Sequence, residues 1–157
     1  MKPKVYLETT IPSYLTSRPS RDLQVAAHQQ VTNEWWHDHR HRFDLFVSER
    51  VLREAGSGDA SAAARPLAEL EGIPELEFTA DARDLASRFL AESAIPAKSL
   101  DDAIHVAIAT VNGMDFLATW NCRHIVNAQI MKRLVRIARG AGYSLPILCT
   151  PEQLMGN

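Results

Sequence analysis

Residues 101–112 read DDAIHVAIATVN, and residues 116–120, which follow Gly113 closely, read FLATW. The apolar residues of the first stretch recur at the three- and four-residue spacing of one helix face, so we predict a helix there that Gly113 ends. The second stretch is a short apolar and aromatic run, typical of a buried strand. A helix that leads into a buried strand is the repeating unit of α/β folds.

The same alternation extends over the rest of the chain. Strands are predicted at residues 4–7, 43–47, 76–79, 116–120 and 145–149. Helices are predicted at residues 22–39, 48–54, 60–71, 81–94, 101–112 and 128–139, with helix-entry residues at Thr9, Thr10 and Pro12. Because parallel strands need crossover helices, this order predicts an α/β three-layer sandwich with a central parallel sheet of about five strands and the first strand in its middle.

The length and composition are typical of a single globular domain. The chain has 157 residues, of which 46% are hydrophobic and 23% charged, so we expect one domain over residues 1–157. It has two cysteines and no apolar stretch near the length of a membrane span, so we expect a cytoplasmic protein without membrane contact. The formal net charge of −2 excludes a uniformly basic surface for nucleic acids.

Three acids and one amide are predicted to meet at one edge of the sheet. They are Glu8 after the first strand, Glu54 in the helix after the second, Asp102 at a helix start and Asn121 after the fourth strand. Ligands of parallel sheets bind beyond the carboxyl ends of the strands. Oxygen ligands suit Mg²⁺ or Mn²⁺, and such an ion offsets the repulsion between carboxylates and activates water. The pattern therefore predicts a Mg²⁺ or Mn²⁺ site for hydrolysis of a nucleic-acid backbone.

Each of these positions also has a purely structural explanation. Asp101 and Asp102 are acids in the first turn of a helix, where they stabilise its N-terminus. Glu54 can pair with Arg50 one turn earlier on the same helix, and Asn121 is a common turn residue. Taken singly, these residues leave a metal site and an ordinary protein surface both open.

Four segments occur in the order and setting of one known family. They are Val5-Tyr-Leu-Glu-Thr-Thr10, Ser48-Glu-Arg-Val-Leu-Arg-Glu54, Leu100-Asp-Asp-Ala-Ile-His-Val-Ala107 and Leu117-Ala-Thr-Trp-Asn-Cys-Arg-His124. From about residue 4 to residue 150, the chain resembles VapC-like proteins of the PIN-domain family. No single segment is specific to that family, but the four segments in register are.

The resemblance implies a Mg²⁺- or Mn²⁺-dependent endoribonuclease, of the kind found as the toxin of bacterial type II toxin–antitoxin pairs. It implies RNA as the substrate, and an antitoxin protein and a second copy of the chain, in a homodimer, as partners. The catalytic residues carried over are Glu8, Glu54, Asp102 and Asn121, of which the three acids hold the metal, with Thr10 and Thr119 as auxiliary hydroxyls.

Two positions depart from the family pattern. Glu8 stands where the family usually has Asp, and Asn121 supplies a neutral amide oxygen where the family often has Asp. Fewer fixed charges weaken the affinity for a cation, which makes Asp101 a reserve ligand. The alternative function is therefore a catalytically silent PIN-like domain that binds RNA or a protein.

Two further features lie outside the acid set. His105 follows Asp102 by about one turn of the same helix, so it is an auxiliary site residue or an ordinary packing residue. Trp35 and Trp36 are predicted to form core or dimer contacts, and only one of two adjacent helical positions is expected to face inward.

The basic residues are concentrated in the last quarter of the chain. Between Phe116 and Pro151 there are five basic side chains and no acidic one. The residues predicted to bind RNA are Arg123, Lys132, Arg136 and Arg139, and the last three form a stripe along one helix. A solvated helix face and a surface for an acidic protein partner are the alternatives.

Overall fold

Strands and helices follow one another along residues 1–156, the part of the chain that this computed structural model describes. For residues 60 and 61 it describes the backbone only. The strands are β1 (Lys4–Leu7), β2 (Asp44–Ser48), β3 (Glu75–Leu76), β4 (Phe116–Ala118) and β5 (Ile147–Cys149). The helices are α1 (Thr10–Thr16), α2 (Leu23–Glu34), α3 (Glu49–Ala55), α4 (Ala60–Glu69), α5 (Ala80–Ala91), α6 (Leu100–Val111) and α7 (Ala128–Gly140). A π-helical turn, Trp35–His39, continues α2, and 3₁₀ turns cover Arg40–Arg42 and Pro151–Leu154.

β1 lies at the centre of an all-parallel sheet. Within the described residues the sheet has five strands in the order β3-β2-β1-β4-β5. Tyr6 of β1 is in register with Phe46 of β2 and with Leu117 of β4. The predicted α/β class, with helices flanking a central parallel sheet, is confirmed.

The strand order also determines where the helices lie. The chain moves in one direction across the sheet from β1 to β3 and in the other direction from β4 to β5. Right-handed crossovers therefore place α1–α4 on one face and α5–α7 on the other. The packing agrees, since α1 contacts α2 and α4, and α5 contacts α6 and α7. This reversal makes the carboxyl edge between β1 and β4 a topological switch point, where ligands of such sheets bind.

α6 forms the centre of its face of the sheet. Every residue from Ala103 to Thr110 is buried, so this helix is enclosed on all sides rather than on one stripe. Fully buried aliphatic side chains such as Ile108 each contribute about 1.5–3 kcal/mol. His105, which is 1% exposed, is a polar side chain in this interior and needs partners there. No helix within residues 1–156 is both long and apolar enough to cross a membrane.

Several element boundaries differ from the predicted ones for local reasons. A complete helix, α1, follows the helix-entry residues after β1. β3 ends at Leu76 rather than at residue 79, because Thr79 is the N-cap of α5 and accepts a hydrogen bond from Ala82 N–H. β5 begins at Ile147 rather than at residue 145, since Pro146 has no N–H to donate to a neighbouring strand.

Trp35 and Trp36 are both buried, which corrects the prediction that only one of them faces inward. The two residues begin the π-helical turn that continues α2. A π-helical turn holds more residues than an α-helical one. Adjacent side chains are therefore rotated about the helix axis by less than the roughly 100° of an α-helix, and both rings reach the interior. The Arg40 guanidinium covers the Trp36 ring, 4.3 Å from its centroid.

Ser48 joins the start of α3 to the core, and we expect Ser48→Ala to be destabilising. Ser48 Oγ accepts a hydrogen bond from Val51 N–H as the N-cap of α3, and it lies 2.8 Å from the Tyr6 hydroxyl. Loss of both interactions should lower the free energy of unfolding by about 1–2 kcal/mol, measured by urea denaturation. Ser87→Ala, at an exposed position of α5, should change it by less than about 0.5 kcal/mol. Equal effects of the two substitutions would contradict this account of the cap.

Candidate metal centre

Glu8 lies at the switch point of the sheet. It follows β1 directly, its N–H donates to Ala118 O at the end of β4, and it is 5% exposed. Thr10 N–H and the hydroxyls of Thr10 and Thr119 all donate to Oε1 of Glu8, at 3.1, 2.5 and 2.6 Å. Within residues 1–156 no donor contacts Oε2. One carboxylate oxygen is thus fixed by the protein and the other remains able to bind a ligand.

Glu54 reaches the same edge of the sheet from α3. Its Oε1 lies 2.7 Å from His105 Nε2, and its Oε2 accepts from the Thr9 hydroxyl at 3.1 Å. Burial alone would raise the pKa of the Glu54 carboxyl. The hydrogen bond and charge of His105, the bond from Thr9 and the charge of Arg50 outweigh that effect, so the pKa of Glu54 lies below its ordinary value. Glu54 is therefore an ionised carboxylate at neutral pH.

His105 connects Glu54 to the protein interior. Because an ionised carboxylate only accepts, His105 Nε2–H is the donor to Glu54. Its Nδ1 lies 2.6 Å from the hydroxyl of Tyr6, which is fully buried and also contacts Ser48 Oγ. Burial, above all, raises the pKa of Tyr6 far above its ordinary value, so the phenol keeps its proton. The result is a continuous chain of hydrogen bonds from Ser48 through Tyr6 and His105 to Glu54.

Glu8, Glu54 and His105 together form a group of side chains that can hold a metal ion. Each offers one ligand atom, and these atoms all lie within 4.8 Å of one another. They come from the residue directly after β1, from α3 and from α6, which only the fold brings together. The donor set of two carboxylates and one imidazole is chemically suitable for a divalent cation.

Asp102 lies in a neighbouring network and is not part of this group. Its Oδ1 accepts from Asn121 Nδ2 at 3.0 Å, and its Oδ2 lies 3.0 Å from His124 Nδ1. Asn121 Oδ1 accepts from the N–H groups of Arg123 and His124, so the amide oxygen is used by the turn and the amide nitrogen faces Asp102. The metal-binding role expected for Asp102 and the catalytic role expected for Asn121 stay predictions.

The two networks are joined through Thr119. Asn121 N–H donates to Thr119 Oγ1 at 2.9 Å, and Thr119 in turn donates to Glu8. Asp101, the predicted reserve ligand, instead forms an exposed ion pair with Arg50 at 2.9 Å. The four predicted catalytic residues therefore divide into Glu8 and Glu54 in the metal-binding group and Asp102 and Asn121 beside it.

His105 is the member of the group that the sequence did not place with the ligands. Its position could have indicated a place among the ligands, because it lies one turn after Asp102 in a helix that is buried on all sides. A buried imidazole needs polar partners. Tyr6 and Ser48, which complete the chain of hydrogen bonds, have no such signal because they occupy ordinary strand positions.

The predicted RNA-binding residues lie along a line that leads away from the group. Arg123 is exposed in the turn after β4, close in sequence to Asn121. α7 then begins at the carboxyl edge of the sheet and runs back toward the start of β5, a distance of about 20 Å for its 13 residues. Lys132, Arg136 and Arg139 are exposed, but Arg139, in the last turn, lies toward the opposite edge of the sheet.

No protein-family model matches this chain, and no curated protein matches it either. The resemblance to PIN-domain proteins therefore depends on the four segments that the sequence contains in order. In the structure, each of these segments contributes side chains to the hydrogen-bond networks around Glu8, Glu54 and Asp102.

Proposed function

We propose that this chain is a divalent-metal-dependent endoribonuclease of the PIN type. The observation that supports the proposal best is the convergence of Glu8, Glu54 and His105 within 4.8 Å at the switch point of a parallel sheet. Carboxylates brought so close together in a partly buried place repel each other, and a divalent cation removes that cost.

The donor set favours Mn²⁺ or Mg²⁺ as the cofactor. Carboxylate oxygens suit both ions, whereas an imidazole nitrogen near the ion shifts the preference toward Mn²⁺. When bound, such an ion supplies Lewis-acid stabilisation of a phosphodiester oxygen and lowers the pKa of water. Glu8 and Glu54 would hold it, with His105 as a ligand or as the donor that keeps Glu54 in position.

The surrounding hydroxyl and imidazole groups position the two carboxylates before any ligand arrives. Thr10 and Thr119 donate to one oxygen of Glu8, and His105 donates to Glu54. These bonds determine the direction of each carboxylate and offset part of the repulsion between them. Preorganised ligands bind more tightly because less conformational entropy is lost on binding.

RNA as substrate, an antitoxin and a homodimer are proposed from the resemblance and from the charge distribution. The excess of basic residues after Phe116 suits a polyanion. On this proposal, the chain is the toxin of a type II toxin–antitoxin pair. One observation favours the catalytically silent alternative: the third acid, Asp102, is already bonded to Asn121 and His124.

The proposal is tested by incubating the purified protein with single-stranded and structured RNA, in Mn²⁺ or with a chelator. We expect internal cleavage in Mn²⁺ and intact RNA with the chelator. A double variant, Glu8→Gln with Glu54→Gln, purified in the same way, controls for contaminating ribonucleases and should leave the RNA intact. Intact RNA in both conditions, in a protein that still binds Mn²⁺, would favour the silent domain instead.

A further inference from the structure

A groove between α1 and α4 is lined by Glu54, one member of the metal-binding group. Its volume is about 650 Å³. Glu54 and Thr9, which donates to it, line this groove, and so do Arg18 and Arg65. The volume falls within the range of about 300–1,000 Å³ that is typical of small-ligand sites. The groove can therefore hold a nucleotide or two, but not a double helix.

The two arginines are the charged groups available to a ligand in this groove. Both are exposed, and within residues 1–156 neither has a carboxylate partner within 4.0 Å. The acids that also line the groove are already occupied: Asp59 Oδ1 accepts from Ala62 N–H as the N-cap of α4, and Glu54 is held by His105 and Thr9. In a chain with a net negative charge, this leaves Arg18 and Arg65 as cationic donors in a groove that Glu54 also lines.

The rest of the lining suits a sugar–phosphate backbone. Ser13, Thr16 and Ser17 give the α1 side a row of hydroxyls, while the α4 side consists largely of small residues. The hydroxyls of Thr16 and Ser17 donate to carbonyl groups of α1, so their oxygens remain as acceptors for ribose hydroxyls. Arginine, with its planar fork of donors, is the side chain best matched to phosphate oxygens.

We propose that the groove between α1 and α4 binds single-stranded RNA next to the phosphodiester to be cleaved, with Arg18 and Arg65 contacting backbone phosphates. This inference rests on the proposed function, since it assigns the substrate path to the same site. It differs from the prediction that the α7 stripe binds RNA, because α7 leads toward the opposite edge of the sheet. Arg18 and Arg65 line the same groove as Glu54, so a single strand that lies in the groove beside the group can contact both arginines.

The test measures RNA binding without cleavage. The full chain is titrated, in chelator, into a short fluorescein-labelled oligouridylate, and anisotropy gives the Kd at several salt concentrations. We expect Arg18→Ala and Arg65→Ala each to weaken binding about fivefold, and the double variant about 25-fold. Each substitution should also reduce the slope of log Kobs against log salt by about 0.7, the value for one phosphate contact of a single strand.

Two controls make the result specific. Arg21→Ala removes another exposed arginine, three residues from Arg18, that does not line the groove, and its Kd should equal that of the wild type. Arg136→Ala with Arg139→Ala tests the rival α7 surface. The proposal is overturned if the α7 variant alone loses affinity, if Arg21→Ala weakens binding as much as the groove variants, or if the wild type binds no RNA.

The same experiment separates this inference from the proposed function. RNA that binds in the groove but is not cleaved in Mn²⁺ would contradict the nuclease and leave the groove assignment intact. Cleavage in Mn²⁺, with a Kd that is unchanged in Arg18→Ala and Arg65→Ala, would contradict the groove assignment and leave the nuclease proposal intact. Melting temperatures of all variants within about 2 °C of the wild type would show that the Kd values report binding and not unfolding.

Discussion

Mn²⁺ is expected to raise the melting temperature of the wild-type protein, and Glu54→Gln is expected to abolish that rise. An ion that binds only the folded state at about a hundredfold its Kd adds about 2.7 kcal/mol, which is roughly 5–10 °C for a domain of this size. The amide keeps the shape of the side chain and one oxygen that accepts from His105, whereas its NH2 group replaces the oxygen that accepts from Thr9, and it has no negative charge. RNA cleavage should fall at least about 100-fold, since several kcal/mol of transition-state stabilisation depends on the ion.

The control for this substitution lies on the same helix. Glu49 is exposed and forms an ion pair with Arg53 on the surface of α3, so Glu49→Gln removes one charge of the same kind at a distance from the group. It should leave the Mn²⁺-dependent rise in melting temperature and the cleavage rate close to wild type. If the rise survives Glu54→Gln, or is lost equally in Glu49→Gln, then Glu54 does not hold the ion.

His105→Leu is expected to lower both the stability and the Mn²⁺ affinity of the protein. The substitution removes the donor to Glu54 and leaves the buried Tyr6 hydroxyl with Ser48 as its remaining partner. The free energy of unfolding in chelator should fall by about 2–4 kcal/mol. The Kd for Mn²⁺, measured by isothermal titration calorimetry on the folded variant, should rise at least about 10- to 100-fold, the usual cost of losing a group that orients a metal ligand.

Two variants distinguish this role from general packing of α6. Thr110 is also a buried polar residue of α6, but its hydroxyl donates to Val106 O within the helix. Thr110→Val should therefore reduce stability slightly and leave the Kd for Mn²⁺ unchanged. Tyr6→Phe removes the hydroxyl that links Ser48 to His105 while keeping His105, and should give an intermediate increase in that Kd. An unchanged Kd in folded His105→Leu would show that His105 neither binds the ion nor positions Glu54.

The fold was predictable because its signals are local. The spacing of apolar residues along α6 and the short apolar runs of β1 and β4 each indicate their element without reference to the rest of the chain. Once helices and strands alternate, parallel pairing and right-handed crossovers leave few arrangements. The carboxyl edge of the sheet, and with it the positions of Glu8 and Glu54, follows from that order.

The composition of the metal-binding group was only partly predictable. Glu8 and Glu54 were expected, whereas the third member is His105, with Asp102 held in the neighbouring network by Asn121 and His124. Asp102 and His105 lie only one helical turn apart, so their order along the chain does not show which of them reaches Glu54. That choice depends on the directions of the two side chains, and these are determined by the packing of α6 against α5 and β4.

The amino-acid sequence alone determined the α/β class, the central place of β1 and the edge at which polar side chains gather, because these properties depend on periodicity and chain order. The tertiary structure decided the pairing of His105 with Glu54, the separation of Asp102 from that pair and the groove that Arg18 shares with Arg65. These are contacts between residues far apart in sequence, and a few ångströms of packing determine whether each of them forms.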